Sequence, residues 1–161
     1  MGHGYQMLGF VVIAILYVGI GVMAARGTIC IFRKILSPKS EQIFYAMFLI
    51  AVAALYLAFA AYFRAATAWQ VETAAVAAFV AIGLLGVRLP FALIVGFPLH
   101  GLWDLLHELL AHGGYSAFES GQLTAVPLAY GFFCAAFDFY VAAYFYGRRA
   151  EWNAARNRGP H

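Results

Sequence analysis

The sequence predicts an all-α, polytopic membrane protein of about five transmembrane helices, and three observations lead there. Of its 161 residues, 65% are hydrophobic and only 11% charged, against about 25% charged in an ordinary soluble domain. The long apolar runs lack the alternation of a barrel strand, so helices rather than a closed β-barrel are expected to satisfy the backbone in lipid. A crossing takes roughly 20 apolar residues, so this length holds about five with short connections and no separate soluble domain. The expected organisation is one membrane domain over residues 1–147 and a basic cytoplasmic tail over residues 148–161.

The first helix is expected from about Tyr5 to Ala25, a charge-free run ended by Arg26. A secretory signal is the rival, but a signal opens with basic residues and has a shorter apolar centre, and Met1-Gly2-His3-Gly4 holds neither lysine nor arginine. A polar connection from Arg26 to Glu41, with Arg33, Lys34, Pro38 and Lys39, leads to a second charge-free helix from about Gln42 to Phe63. The linker from Arg64 to Glu72 holds Trp69 and Gln70, and an amphipathic indole is favoured at a membrane interface. The third helix, between Glu72 and Arg88, is short unless it borrows a turn from the linker or lets Arg88 snorkel.

Leu89-Pro90 turns the chain into a fourth helix, from about Phe91 to His112, in which Pro98 is expected to introduce a kink because it lacks an amide donor. A loop through Gly113-Gly114-Tyr115-Ser116 continues to about Gln122. The fifth helix follows from roughly Leu123 to Tyr146, with Pro127 in its first turns. The tail with Arg148, Arg149, Glu151, Arg156 and Arg158 is expected to lie on the headgroups or fray.

Five helices put the termini on opposite sides. If the tail is cytoplasmic, Arg26, Arg33, Lys34, Lys39, Arg88 and the tail arginines are all inside and Arg64 alone is outside, which satisfies the positive-inside rule. The expectation is N-terminus out and C-terminus in, as a multi-pass protein of a bacterial inner membrane. A formal charge of +3 would raise nucleic acid as a partner for a soluble chain. Here the basic residues mark a membrane face, and membrane lipids rather than nucleic acid are expected. Cys30 and Cys134 form no CxxC and read as buried bystanders rather than a disulfide or thiolate metal site.

The fourth helix carries the chemistry. His100, Asp104, His107 and Glu108 follow the i, i+4, i+7, i+8 spacing of one helical stripe. At about 100° per residue the first three fall within about 60° of arc, Glu108 borders them, and Leu102, Leu105, Leu106 and Leu109 fall mostly elsewhere. A buried aspartate costs about 2.5 to 3.5 kcal/mol on insertion scales. A partner is therefore expected, and Asp138 on the fifth helix is at the matching depth for His100.

Three readings compete for this cluster. As a metal site, imidazole and carboxylate suit Zn²⁺ or non-haem iron, and Asp104-x-x-His107 repeats a spacing by which bundle helices present ligands. His100, Asp104, His107 and Asp138 are the candidate metal ligands, and Asp104 and Glu108 the candidate catalytic groups. As a proton or ion relay, the same residues form a titratable chain, but the segment Phe91 to Pro98 is wholly apolar and breaks a continuous wire. As a structural device, polar side chains hydrogen-bond helices together, each contributing about 0.6 to 2 kcal/mol.

Other polar residues draw weaker functional readings. His112 reads as an interface residue rather than a ligand, His3 and His161 as terminal residues without function, and Glu72 and Glu119 as solvated loop carboxylates rather than groups leaning over the outer mouth of the site. The chain has 10 tyrosines and 15 phenylalanines, which suit a sterol, quinone or carotenoid groove but are ordinarily packing and interface belts. Haem is disfavoured because the three membrane histidines share one helix.

The motif His100-x-x-Trp103-Asp104-x-x-His107, followed by Phe137-Asp138-x-x-Val141-Ala142-x-Tyr144, resembles a group of small uncharacterised bacterial membrane proteins, domain of unknown function 6010. The likeness covers roughly Leu99 to Arg148 and implies no reaction. The chain departs from the membrane desaturases and hydroxylases, which need several histidine clusters on more than one segment. The expected function is therefore an intramembrane metal site, with a membrane-embedded metalloenzyme acting on a lipophilic small molecule as its active form. The alternatives are a small proton- or ion-coupled transporter, or an accessory subunit of a larger membrane complex whose polar stripe is an assembly contact. A homo-oligomer is expected where another protomer donates missing ligands.

Overall fold

The computed structural model describes residues 2–111 and 122–157. Its order is α1 (Gly2–Ile35), α2 (Pro38–Tyr62), α3 (Trp69–Gly86), α4 (Pro90–Ala111) and α5 (Tyr130–Asn157), with no strand among the described residues. Among the described residues, three helical segments are long and apolar enough to cross a membrane: Met7–Ile35, Pro38–Tyr62 and Ala66–Gly86. Helices α4 and α5, of 22 and 28 residues, are those that bring the buried His100, Asp104, His107, Glu108 and Asp138 inside.

Several helix ends differ from the sequence expectation, each for a local reason. Helix α1 does not stop at Ala25 but takes in the polar connection and runs to Ile35, where Arg33 and Lys34 in its last turn complement the carbonyl end of the dipole. Helix α2 begins at Pro38 because Ser37 caps it, accepting from the Ser40 amide at 3.2 Å, and proline suits the first helical position. Helix α3 does borrow a turn of the linker, starting at Trp69 after a turn in which Arg64 has φ 53°. Its exposed carbonyl end docks on α2. There Gln42 Nε2 donates to Gly86 O at 2.6 Å and Lys39 Nζ donates to Val87 O.

Helix α5 starts later than Leu123, so Pro127 precedes it, and it continues past Tyr146 to Asn157. The part expected to fray is tied down. Glu41, fully buried at the start of α2, accepts from Arg148 Nε at 3.0 Å, Trp152 Nε1 at 3.1 Å and Tyr144 OH at 2.5 Å. Trp152 is itself fully buried and packs on Phe145, with ring centroids 5.1 Å apart.

Successive helices from α2 to α5 alternate in direction. Gln42 meets Gly86 across α2 and α3, Phe79 meets His100 across α3 and α4, and His100 meets Asp138 across α4 and α5. Helix α1 lies against the outside of α5 and exposes most of its apolar surface, including Met7, Leu8, Val12, Ile15 and Met23. In lipid the helices gain little from hydrophobic burial and associate through close packing and internal hydrogen bonds. Glycines make the α4–α5 approach possible. A Cβ on Gly101 would lie 3.2 Å from Ala135 Cα, and one on Gly131 only 2.6 Å from Glu108 Cβ.

The interior is layered. Glu41, Gln42, Tyr45, Arg148 and Trp152 form a buried polar layer at one end. Leu49, Leu93, Phe97, Val141 and Phe145 form the apolar layer next to it, with Phe97 and Phe145 edge-to-face at 5.1 Å. Beyond that layer lies the polar stripe of α4.

Candidate functional site

The helical period that aligned His100, Asp104, His107 and Glu108 also turns all four inward, and each is essentially buried. They do not form one site. Their partners divide them into three arrangements stacked along α4.

The first is centred on His100, whose Nδ1 is 2.9 Å from Asp138 Oδ2 and 3.0 Å from Asp104 Oδ2. The partner expected from the depth of Asp138 is thus in contact. The hydrogen bond from Nδ1 goes to Asp138, and Asp104 Oδ2 is left without one although it is just as close. A ring nitrogen has at most one proton to give, so it cannot serve both carboxylates well. Tyr56 of α2 donates its hydroxyl to the other oxygen of Asp104, Oδ1. The far nitrogen of the ring, His100 Nε2, is buried without a hydrogen-bond partner.

One ligand atom from each of His100, Asp104 and Asp138 can be chosen so that all lie within 4.8 Å of one another, so the group can hold a metal ion. Ligands about 2.0 to 2.2 Å from a tetrahedral Zn²⁺ stand roughly 3.3 to 3.5 Å apart. The observed 2.9 and 3.0 Å separations need to open only slightly to admit a cation. A divalent cation would also offset the charge of two carboxylates buried together in an apolar interior.

The second arrangement takes up His107. Its Nδ1 lies 2.8 Å from the Trp103 carbonyl oxygen, which only accepts, so the proton is on Nδ1. Its Nε2 lies 2.9 Å from Glu72 Oε1, which also accepts from the Thr124 amide at 2.8 Å. Both nitrogens are engaged, and His107 does not join the group of His100, Asp104 and Asp138. The Tyr56 ring lies between the two histidines, 4.4 Å from the His107 ring and 6.0 Å from that of His100.

The third belongs to Glu108, whose carboxylate accepts from Ala129 N at 2.9 Å and Gly131 N at 3.1 Å. These amides open α5, where unpaired donors and the helix dipole favour a negative group. Ala129 has φ 61°, an uncommon backbone conformation that this clamp helps to hold.

Two contributors were not assigned to the site from sequence. Tyr56 belongs to the buried stripe of α2 with Leu49, Ala53 and Ala60, and that period was its only signal. Glu72, expected among solvated loop carboxylates, is instead fully buried in the first turn of α3, on one stripe with Val76, Phe79, Gly83 and Gly86. His112, Glu119 and His161 lie outside the described residues, as does the loop from Gly113, and the His3 side chain is not described. Cys30 and Cys134 are both free, but Cys30 is exposed and Cys134 half-buried, not the buried bystanders expected.

Fold and site define a helical, membrane-type protein with a buried His/Asp cluster suited to a metal ion. Residues 10–151 match the family of unknown function DUF6010, and the chain belongs to that family. The match reaches all five helices and so extends well beyond the α4–α5 motif that first carried the resemblance. No curated protein and no solved structure matches the chain significantly.

Proposed function

We propose that this chain is a five-span protein of a bacterial inner membrane, N-terminus out and C-terminus in, that binds a divalent metal through His100, Asp104 and Asp138. The observation that carries the reading is the convergence of one imidazole nitrogen and two carboxylate oxygens within 4.8 Å, in a buried position where Asp104 Oδ2 and His100 Nε2 have no hydrogen-bond partner. The mixed nitrogen and oxygen donor set suits Zn²⁺ or non-haem Fe²⁺. The alternating helix directions support five crossings, and the basic residues at the Lys39, Arg88 and Arg148 end support the orientation.

Three protein ligands leave a coordination position open, where a bound metal polarises water or a substrate oxygen. Tyr56 holds Asp104 through Oδ1 and so orients its other oxygen toward His100. The proposed activity is that of a membrane-embedded metalloenzyme acting on a lipophilic substrate. A relay across the membrane is disfavoured because Leu49, Leu93, Phe97, Val141 and Phe145 separate the site from the Glu41 layer. An assembly contact is disfavoured because the polar stripe is buried within its own chain.

Titration of the purified, metal-stripped protein with Zn²⁺ and with Fe²⁺ tests the reading. One equivalent is expected to bind wild type, and Asp138→Asn, which removes a charge at nearly constant shape, is expected to weaken binding by at least about tenfold. No binding of either ion to folded wild type overturns the proposal.

A further inference from the structure

We infer that the groove between α1 and α5 binds the phosphate of an anionic phospholipid from the leaflet at the basic end of the bundle, with Arg26 as its reader. The groove has a volume of about 410 Å³ and is lined by Arg26, Ile29, Cys30, Tyr140, Ala143 and Tyr144. It is remote from the metal group, because Asp138 turns toward α4 while this face of α5 meets α1.

Arg26 is in an unusual place. It lies well inside the 34-residue α1 rather than in its last turn with Arg33 and Lys34. Its groove partner Tyr140 precedes Arg148 by eight residues, about 12 Å along a helix at 1.5 Å per residue. Arg26 is thus a turn or two on the lipid side of the basic end. A guanidinium at that depth needs an anion or must snorkel out. No acidic residue pairs with it among the described residues, and Glu41, which meets the groove residue Tyr144, is already taken by Arg148, Trp152 and Tyr144.

The surroundings specify the anion. A guanidinium fork matches a phosphate bidentately, and basic pockets between helices on the cytoplasmic side suit lipid head groups. The Tyr140 hydroxyl can add a donor, while Ile29, Ala143 and the tyrosine rings give an apolar wall. Met23, Ile15 and Val12 fall within about 60° of Arg26 around α1, and all three are exposed. They continue the apolar track toward mid-membrane, where the acyl chains of a head group held at Arg26 must run. Arg33, two turns further on the same stripe, extends the positive field to the membrane surface.

Native mass spectrometry of the purified full chain with dioleoyl phosphatidylglycerol, against dioleoyl phosphatidylcholine, tests the site. Wild type is expected to retain one phosphatidylglycerol in preference to phosphatidylcholine. Arg26→Gln, which removes the charge, and Ala143→Phe, which fills the groove and keeps the charge, should each weaken retention at least about fivefold. Lys34→Gln should not. Circular dichroism melting confirms that each variant is folded. The inference is overturned by equal retention of the two lipids, by wild-type retention in either groove variant, by equal loss in Lys34→Gln, or by a dimer that depends on Arg26 in place of bound lipid. Metal content plays no part in this readout, so the two proposals stand or fall separately.

Discussion

His107 Nε2 lies 2.9 Å from Glu72 Oε1, and this contact joins the C-terminal half of α4 to the first turn of α3. It also takes His107 away from the metal group, since the other ring nitrogen is committed to the Trp103 carbonyl. His107→Ala leaves the Glu72 carboxyl buried with only the Thr124 amide on Oε1, a loss of about 3 kcal/mol or more. A double replacement, His107→Leu with Glu72→Leu, removes both polar groups and should recover most of that loss. Thermal unfolding in mild detergent checks both, and a double variant no more stable than His107→Ala would contradict the pairing.

Tyr56→Phe keeps the ring between the two histidines and removes only the hydroxyl that holds Asp104 Oδ1. Groups that orient a ligand typically contribute 10- to 100-fold to metal affinity. The variant should therefore bind one equivalent of metal with affinity lowered by about tenfold, measured by competition with a chromophoric chelator. Unchanged affinity would mean that Tyr56 serves packing alone.

Glu108→Ala frees the amides of Ala129 and Gly131 at the head of α5. Loss of a cap costs about 0.5 to 2 kcal/mol, and the buried setting puts this case at the upper end. Stability should fall by about that amount while metal stoichiometry stays at the wild-type value. A folded Glu108→Ala protein that lost its metal would move Glu108 into the metal group.

The orientation can be read by cysteine labelling. With Cys30 and Cys134 replaced by alanine, a single Ser40→Cys in the first turn of α2 should react with a membrane-impermeant maleimide only from the cytoplasmic side. Ala66→Cys, between α2 and α3, should react only from outside. Both positions are exposed in the structure. The reverse pattern would invert the topology and place the Arg26 groove in the other leaflet.

The helical class, the order of the helices and the stripe on α4 were legible in the sequence because apolar runs and a 3.6-residue period are local properties. The pairing of Asp138 with His100 was legible through depth alone, counted along antiparallel helices. Helix ends were not, wherever a charge at a helix end finds its partner elsewhere. Arg148 read as a tail residue because its partner Glu41 lies more than a hundred residues earlier, and Trp152 disappears into the same contact. Glu72 is a lone polar residue on an otherwise apolar stripe of α3, Tyr56 stands among Leu49, Ala53 and Ala60 on α2, and only the packing of α2 and α3 against α4 gives them a role. The division of the α4 face into a His/Asp cluster, a hydrogen-bonded His107–Glu72 pair and a helix cap follows from those two partners and from the α5 amides.

The central claim is that His100, Asp104 and Asp138 hold the metal and His107 does not. Elemental analysis of protein purified without chelators tests it most directly, on wild type, His100→Ala, Asp104→Asn, Asp138→Asn and His107→Ala, each shown to be folded. The account predicts about one equivalent of metal in wild type and in His107→Ala, and a loss to well below half in the other three. Metal retained in His100→Ala, or lost from folded His107→Ala while His100→Ala keeps it, would contradict the account.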